Sequence, residues 1–320
     1  MIGTVSRVAE VLKAANDILI LTHRRPDGDT TGCASALCLA LRKMGKRAYI
    51  AKNPQITKRY ADLIVPYAPA DDFEPKFVVT VDCADKGMIP EDLSAYAQRV
   101  DLVIDHHRSN EGFGKDNLVM GHQAACAEII CEVIEAMDVE LDVQIAYGIY
   151  VGVSTDTGCF KFSNTTANTH LVAAKCLDAG VDGGEINRVL FETKSRARYE
   201  IEGMLFSSMQ FYKEGKIAIA LITREAKEKT GADWDDLDAI AGIPRQIEGV
   251  EVGLTLTELD NGDTKVSVRT TKEVDASAIC MMVGGGGHIR AAGATLHCSS
   301  DEAIQRMLQA TERVYCGEKA

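Results

Sequence analysis

The stretch Ile18-Leu19-Ile20-Leu21-Thr22-His23-Arg24-Arg25-Pro26-Asp27-Gly28-Asp29 decides how the chain is read. Four consecutive aliphatic residues predict a short strand buried on both faces, the kind found in parallel sheets. It runs without a spacer into a cluster of one histidine and two aspartates. The same grammar recurs: Phe77 to Val81 predicts a strand ending at Asp82, and Leu102 to Ile104 a strand ending at Asp105-His106-His107. A helix over Gly32 to Met44, stopped by Gly45, leads to a strand over Arg47 to Ala51. Further helices are predicted at Ala124 to Met137, Val143 to Gly152 and Thr166 to Leu177. Strands alternating with helices imply an α/β fold with a doubly wound parallel sheet. Ligands of such sheets bind beyond the carboxyl ends of the strands, where His23, Asp82 and Asp105 are expected.

If the loop after the first strand stays extended, Asp27 and Asp29 project to one side, because side chains two apart share a face. Two carboxylates that close repel unless a cation holds them, so the pattern points to a metal. Taken alone, an acidic turn with Pro and Gly explains it equally well. Asp105-His106-His107 offers an imidazole ligand, a second imidazole for substrate and a carboxylate able to orient one ring. Asp156, in Val153-Ser154-Thr155-Asp156-Thr157-Gly158, adds a carboxylate after an apolar helix. One such residue at an element end is usually structural; four clusters at successive ends are not readily accidental. Carboxylate and imidazole without thiolate suit Mn²⁺, and less strongly Mg²⁺, Co²⁺ or Fe²⁺, over structural zinc. No Gly-x-Ser-x-Gly elbow supports serine chemistry.

From Asn187 to Tyr212 the texture turns charged, with Lys194, Arg196 and Arg198, and reads as a linker helix with a solvated basic face. Three regions result: a catalytic domain over 1–186, the linker over 187–212 and a smaller α/β domain over 213–320. In the last, strands at Val250 to Thr257 and Thr264 to Arg269 are joined through Asn261-Gly262, a hairpin signal. Gly284-Gly285-Gly286-Gly287-His288 then forms a loop between an apolar helix and an apolar strand, where a bare linker is out of place. Its successive N–H groups predict an anion nest, with Arg269 as a forked donor for phosphate.

The formal charge of −12 over 320 residues argues against a cationic track for long nucleic acid, so an anionic ligand must be met locally. Ten cysteines scattered through apolar segments, with no Cys-x-x-Cys pair, read as small buried hydrophobes in a reducing compartment. Ile18 to Leu21 is too short for a signal core or a spanning helix. The expected setting is cytoplasmic, with no membrane partner.

At these residues the chain resembles the DHH phosphoesterase superfamily, and within it the short two-domain branch that includes oligoribonucleases and pAp phosphatases. His23-x-x-Pro-Asp27-Gly-Asp29 is similar to the first motif, Val81-Asp82 to the second, Asp105-His106-His107 to the naming motif and Thr155-Asp156-Thr157-Gly158 to the fourth. Gly285-Gly-Gly-His288 with Ala291-Ala-Gly resembles the DHH-associated C-terminal domain. The resemblance implies metal ligation by His23, Asp27, Asp29, Asp82, His106 and Asp156, with Asp82 bridging two Mn²⁺, for which Mg²⁺ or Co²⁺ could substitute. It implies that His107 binds the scissile phosphate and that Asp105 supports the histidines. Arg269, Gly285, Gly286, Gly287 and His288 match positions that grip the substrate, and Arg25 matches an arginine of this branch. Two departures stand out: Cys33 where a serine is common, read as a packing change, and Cys159 where some relatives carry arginine, which bears on substrate preference.

The function expected is a manganese-dependent phosphohydrolase acting on short single-stranded oligoribonucleotides (nanoRNA) or on 3′-phosphoadenosine 5′-phosphate (pAp). The alternative is a phosphodiesterase for cyclic or linear dinucleotides such as c-di-AMP and pApA. An inorganic pyrophosphatase and a silent nucleotide sensor are weaker readings. A homodimer is compatible with the sequence.

Overall fold

Every residue of the first strand, Ile18–Leu21 (β1), is buried. Ile18 and Ile20 enter a hydrophobic cluster with Leu37 and Leu41, whereas Leu19 and Leu21 enter another with Val78 and Val103. This two-sided burial is why the strand reads as an uninterrupted aliphatic run. The structure, a computed structural model, describes residues 3–237, 240–271 and 274–317. It divides into two units, Met1–Thr193 and Lys194–Ala320.

In the first unit β1 is joined by Ala48–Ile50 (β2), Phe77–Val81 (β3), Leu102–Asp105 (β4) and Asp116–Val119 (β5) in a five-stranded sheet ordered β2-β1-β3-β4-β5. All four pairings are parallel, as expected of a doubly wound sheet. The chain order reverses between β1 and β3, which opens the crevice at which such sheets hold ligands. Edge strand β5 went unpredicted because only Leu118 and Val119 of its four residues are aliphatic.

Val5–Ala14 (α1), Gly28–Lys43 (α2), Cys126–Ala136 (α3), Val143–Asp156 (α4) and Ala167–Asp178 (α5) are the long helices of this unit. Helix α2 begins four residues earlier than predicted. Asp27 is its N-cap, and Asp27 Oδ1 accepts from the Thr30 N–H at 3.1 Å. The backbone is extended only at the cap residue Asp27 and is helical from Gly28 onward, so the two carboxylates do not share a face by strand alternation. Helix α4 runs four residues past Gly152, making Asp156 its last residue. The two helices cross at glycines: a Cβ on Gly32 would lie 2.2 Å from the Gly148 carbonyl oxygen, and one on Gly152 would lie 2.7 Å from Asp29 Oδ1.

In the second unit, Arg196–Ser208 (α6) packs Ile201 and Leu205 against Ala220 and Ile222. The basic face read there as solvated is only partly so. Arg196 pairs with Glu200 in solvent, but Lys194 and Arg198 converge on buried Glu202 at 2.5 and 2.9 Å. Gln210–Tyr212 (β6), Ile217–Ile222 (β7), Val252–Glu258 (β8), Thr264–Thr270 (β9), Gly286–His288 (β10) and Ala291–Leu296 (β11) form a sheet ordered β10-β11-β9-β8-β7-β6. Only β7 and β8 pair in parallel. The β8–β9 hairpin turns at Gly262, whose φ of 87° needs glycine. Ala276–Met281 (α7) and Ser300–Tyr315 (α8) cover the face carrying Val252, Leu254, Val266, Val268 and Leu296. Among the described residues no helix is long and apolar enough to cross a membrane.

Candidate metal centre

The carboxyl ends of β1, β3 and β4 and the facing ends of α2 and α4 bring seven predicted residues together. Three trios have ligand atoms within 4.8 Å of one another: His23, Asp27 and Asp82; Asp29, His106 and Asp156; and Asp82, His106 and His107. Asp82 is common to two trios, and buried. Its φ of 53° turns the chain out of β3 at the strand end.

The ring tautomers are set from behind. His23 Nδ1–H donates to the Arg24 carbonyl at 2.7 Å and His106 Nδ1–H to the Gln123 carbonyl at 3.3 Å. In its neutral form each ring therefore presents Nε2 as a lone pair, the arrangement expected of a metal-ligating histidine. His23 Nε2 is 3.9 Å from Asp27 Oδ1 and 3.8 Å from Asp82 Oδ2. His106 Nε2 is 3.4 Å from Asp82 Oδ1, 3.6 Å from Asp156 Oδ2 and 3.9 Å from Asp29 Oδ2. Most of these separations are too long for a hydrogen bond and short enough to share a cation.

Asp29 is held rigidly: Oδ2 accepts from the Cys126 N–H at 2.6 Å and Oδ1 from the Ala127 N–H at 3.0 Å, at the start of α3. Cys33 also donates to Asp29 Oδ1, at 3.3 Å, so its thiol touches the site and is more than the packing change first read. Thr30 donates to Asp82 Oδ2 at 2.5 Å, whereas Asp82 Oδ1 is buried with no hydrogen-bond partner among the described residues. An orphaned carboxylate oxygen facing imidazoles is a costly arrangement that a cation relieves.

Electrostatics give the same picture. Burial, then the charges of Asp82 and Asp156, pushes the Asp29 carboxyl well above the usual range. Burial raises Asp156 to about 7 against the opposing charge of His106, with Asp82 and Asp27 adding to the rise. Burial works against charge on His106, but Asp82, Asp29 and Asp156 outweigh it and lift its pKa to about 10. The cluster is short of positive charge, and the donor set of carboxylates and imidazoles fits a divalent cation such as Mn²⁺.

His107 differs from its neighbour. Its Nδ1–H donates to Asp105 Oδ1 at 2.7 Å, and Asn110 donates to Asp105 Oδ2 at 2.7 Å. That hydrogen bond to Asp105 raises the His107 pKa above its ordinary value. Arg25 is exposed on the loop after β1, with a φ of 51°.

In the second unit the glycine run is not the open nest predicted. The Gly284 and Gly285 N–H groups donate to the Met281 and Cys280 carbonyls at 3.2 and 2.8 Å, ending α7. Gly286, Gly287 and His288 are strand β10, paired with Gly293, Ala292 and Ala291. Glycine is needed for close approach: a Cβ on Gly285 would lie 2.3 Å from the Gly293 carbonyl oxygen. Arg269 and His288 both pair with Ala291, so all three share one face of the sheet. Gly253 also pairs with Arg269, and the Arg245 backbone nitrogen would be 2.8 Å from a Cβ there. Burial, then the Arg245 charge, holds the Arg269 pKa below its ordinary value. Arg245 was not anticipated, since it stands alone in Gly242-Ile243-Pro244-Arg245-Gln246. Thr30, Asn110, Gln123 and the α3 N–H groups also escaped the sequence, having no motif of their own.

Residues 17–153 match the DHH family, N-terminal domain, and residues 214–315 match the DHHA1 domain. The chain is 35% identical over 308 residues to the bifunctional oligoribonuclease and PAP phosphatase NrnA of Thermus thermophilus, covering 95% of this chain and 92% of that protein. It is 23% identical over 330 residues to the cyclic-di-AMP phosphodiesterase GdpP of Bacillus subtilis, covering 96% of this chain and 49% of that protein. A crystal structure of an exopolyphosphatase-related protein from Bacteroides fragilis superposes with a TM-score of 0.85 at 23% identity, over 97% of this chain and 95% of that one.

Proposed function

The chain belongs to the DHH family, and from that premise we propose that it is a divalent-metal-dependent phosphohydrolase acting on short oligoribonucleotides and pAp. The observation that carries the metal requirement is the buried, unpartnered Asp82 Oδ1 facing ring nitrogens. His23, Asp27 and Asp82 would hold one cation; Asp29, His106 and Asp156 would hold a second, with Asp82 shared. Cations bound there supply Lewis-acid activation of a water nucleophile and neutralise charge that develops on a phosphoryl group.

The protein's own groups do the rest. With Nδ1 committed to Asp105, His107 directs Nε2 outward, and as an imidazolium it donates a proton or a hydrogen bond to a phosphate oxygen. Asp105 and Asn110 fix that ring and do not meet the substrate. The substrate class is supported by the 35% identity to an oligoribonuclease and PAP phosphatase over nearly the full length of both chains, and by Arg269 and His288 on one sheet face. An acidic chain offers no long phosphate track, so short substrates are favoured.

A second reading, hydrolysis of cyclic or linear dinucleotides, is supported by the likeness to the cyclic-di-AMP phosphodiesterase. One panel separates the readings: purified protein with Mn²⁺ against pAp, di- to hexanucleotides, cyclic dinucleotides and pyrophosphate. Chelation should abolish turnover, and pAp and di- to tetranucleotides should be the best substrates. Full activity in excess chelator would overturn the metal requirement, and preference for a cyclic dinucleotide would install the second reading.

A further inference from the structure

Strand β9 alternates sharply. Val266 and Val268 are buried in the core beneath α7 and α8, so Lys265, Ser267 and Arg269 project from the opposite face. Neighbouring strand β11 repeats the pattern, with Ala292, Ala294 and Leu296 buried and Ala291, Gly293 and Thr295 on the other side. Next to Arg269 and Lys265, this part of the face carries small residues that leave a low floor.

The Arg269 end is the phosphate-binding end of the proposed function. At the other end stands Trp234, the only tryptophan of the chain, 57% exposed. Lys265 Nζ lies 5.1 Å from its ring centroid and Lys227 Nζ 5.9 Å. Lys227 is itself anchored, donating to the Glu258 carbonyl at 2.7 Å and lying 3.7 Å from Asp260 Oδ1, which leaves Lys265 as the cation for phosphate. An exposed aromatic plane beside ammonium groups is the combination with which proteins hold single-stranded nucleic acid, the ring taking a base and the cations its phosphates. A pocket lined by Lys227, Gly231, Trp234 and Leu237 adjoins the ring. Glu228, Asp233 and Asp260 line the same pocket and would repel phosphate, so the pocket side of the ring suits a base and not a phosphate.

We propose that Trp234, with Lys265, is a base-stacking subsite for a nucleotide beyond the one whose phosphate Arg269 holds. From Lys265 to Arg269 is four residues of strand, about 13–14 Å. That exceeds the reach of a mononucleotide, so only an oligonucleotide spans both ends. The subsite gives the second unit a means of favouring oligonucleotides over pAp, and it rests on the function proposed above.

The single tryptophan makes the test direct. Phosphorothioate-linked oligoadenylates of two to five residues, which resist cleavage, are titrated into the Mn²⁺-loaded protein while Trp234 fluorescence is followed. Three- to five-residue ligands should quench and shift the emission saturably, and pAp should not. Trp234→Ala should raise KM for a trinucleotide about 10-fold more than KM for pAp, and Trp234→Tyr should restore most of the difference. No fluorescence change at saturating oligonucleotide, or an equal change with pAp, would overturn the subsite even if hydrolysis proceeds. Saturable quenching by oligonucleotides that the enzyme never cleaves would instead strike the proposed function and leave the subsite standing.

Discussion

His107 Nδ1 lies 2.7 Å from Asp105 Oδ1, and the same buried carboxylate accepts from Asn110 through its other oxygen, so one aspartate both aims the ring and biases its charge. Asp105→Asn replaces an acceptor with an amide whose NH₂ must face either His107 Nδ1–H or the Asn110 amide, both donors. Loss of the oriented ring should lower kcat about 100-fold on pAp, with KM and metal content little changed. Steady-state kinetics with metal analysis decides it; an unchanged kcat would remove His107 from the chemical step.

The glycine crossing of α2 and α4 should be intolerant of a single methyl. Gly32→Ala puts Cβ against the Gly148 carbonyl, and prising the helices apart should cost about 1–3 kcal/mol. It should also weaken Mn²⁺ binding, because Asp29 and Asp156 ride on the two helices. Gly203→Ala, in α6 with nothing near its added carbon, should be neutral or stabilising by up to about 1 kcal/mol. Thermal unfolding of both variants and calorimetric metal titration of the first provide the check.

Arg269→Ala should separate two activities. A charge-assisted hydrogen bond contributes about 1.5–3 kcal/mol, so kcat/KM on pAp or a dinucleotide should fall about 10–100-fold. Hydrolysis of bis-p-nitrophenyl phosphate, which has no second phosphate to hold, should fall much less. Equal losses on both substrates would contradict the recognition role.

Glu202 sets a pH dependence of stability far from the metal ligands in sequence. Burial alone would raise its carboxyl, but the hydrogen bonds and charges of Lys194 and Arg198 hold it below its ordinary value. A depressed folded pKa means that the unfolded chain takes up the proton first. The stabilisation is therefore complete above the unfolded value of about 4.3 and is lost as pH falls through the folded value. Glu202→Gln should be about 1–3 kcal/mol less stable at pH 7, with the gap closing below pH 4 in urea titrations.

The parallel sheet and the identities of the clustered residues were legible because β1, β3 and β4 are largely apolar runs that lead straight into polar residues. The geometry was not. Asp27 and Asp29 were expected to meet by strand alternation, yet Asp27 caps a helix and Asp29 is aimed by N–H groups of residues 126 and 127. Backbone donors from a distant helix leave no trace in residue type. The glycine run was legible as special but misassigned, because its first N–H groups are spent closing α7 and its later residues join the sheet through contacts only the fold reveals. Arg245 acquires its role beside Gly253 and Arg269 through the sheet register, and Glu202, whose partner Arg198 is one helical turn away, acquires its role from its burial; a single sequence displays neither.

Because Asp29 and Asp156 meet only where α2 crosses α4, the centre cannot be complete until α4 has been made. Synthesis proceeds at about 5–20 residues per second, so Asp156 follows Asp29 by about 6–25 s. During that interval His23, Asp27, Asp29, Asp82 and His106 emerge without their last acidic neighbour and without the wall of α4 behind them. Cation capture thus belongs to the end of the first unit's biogenesis, and a nascent chain arrested before α4 should not retain Mn²⁺ through gel filtration.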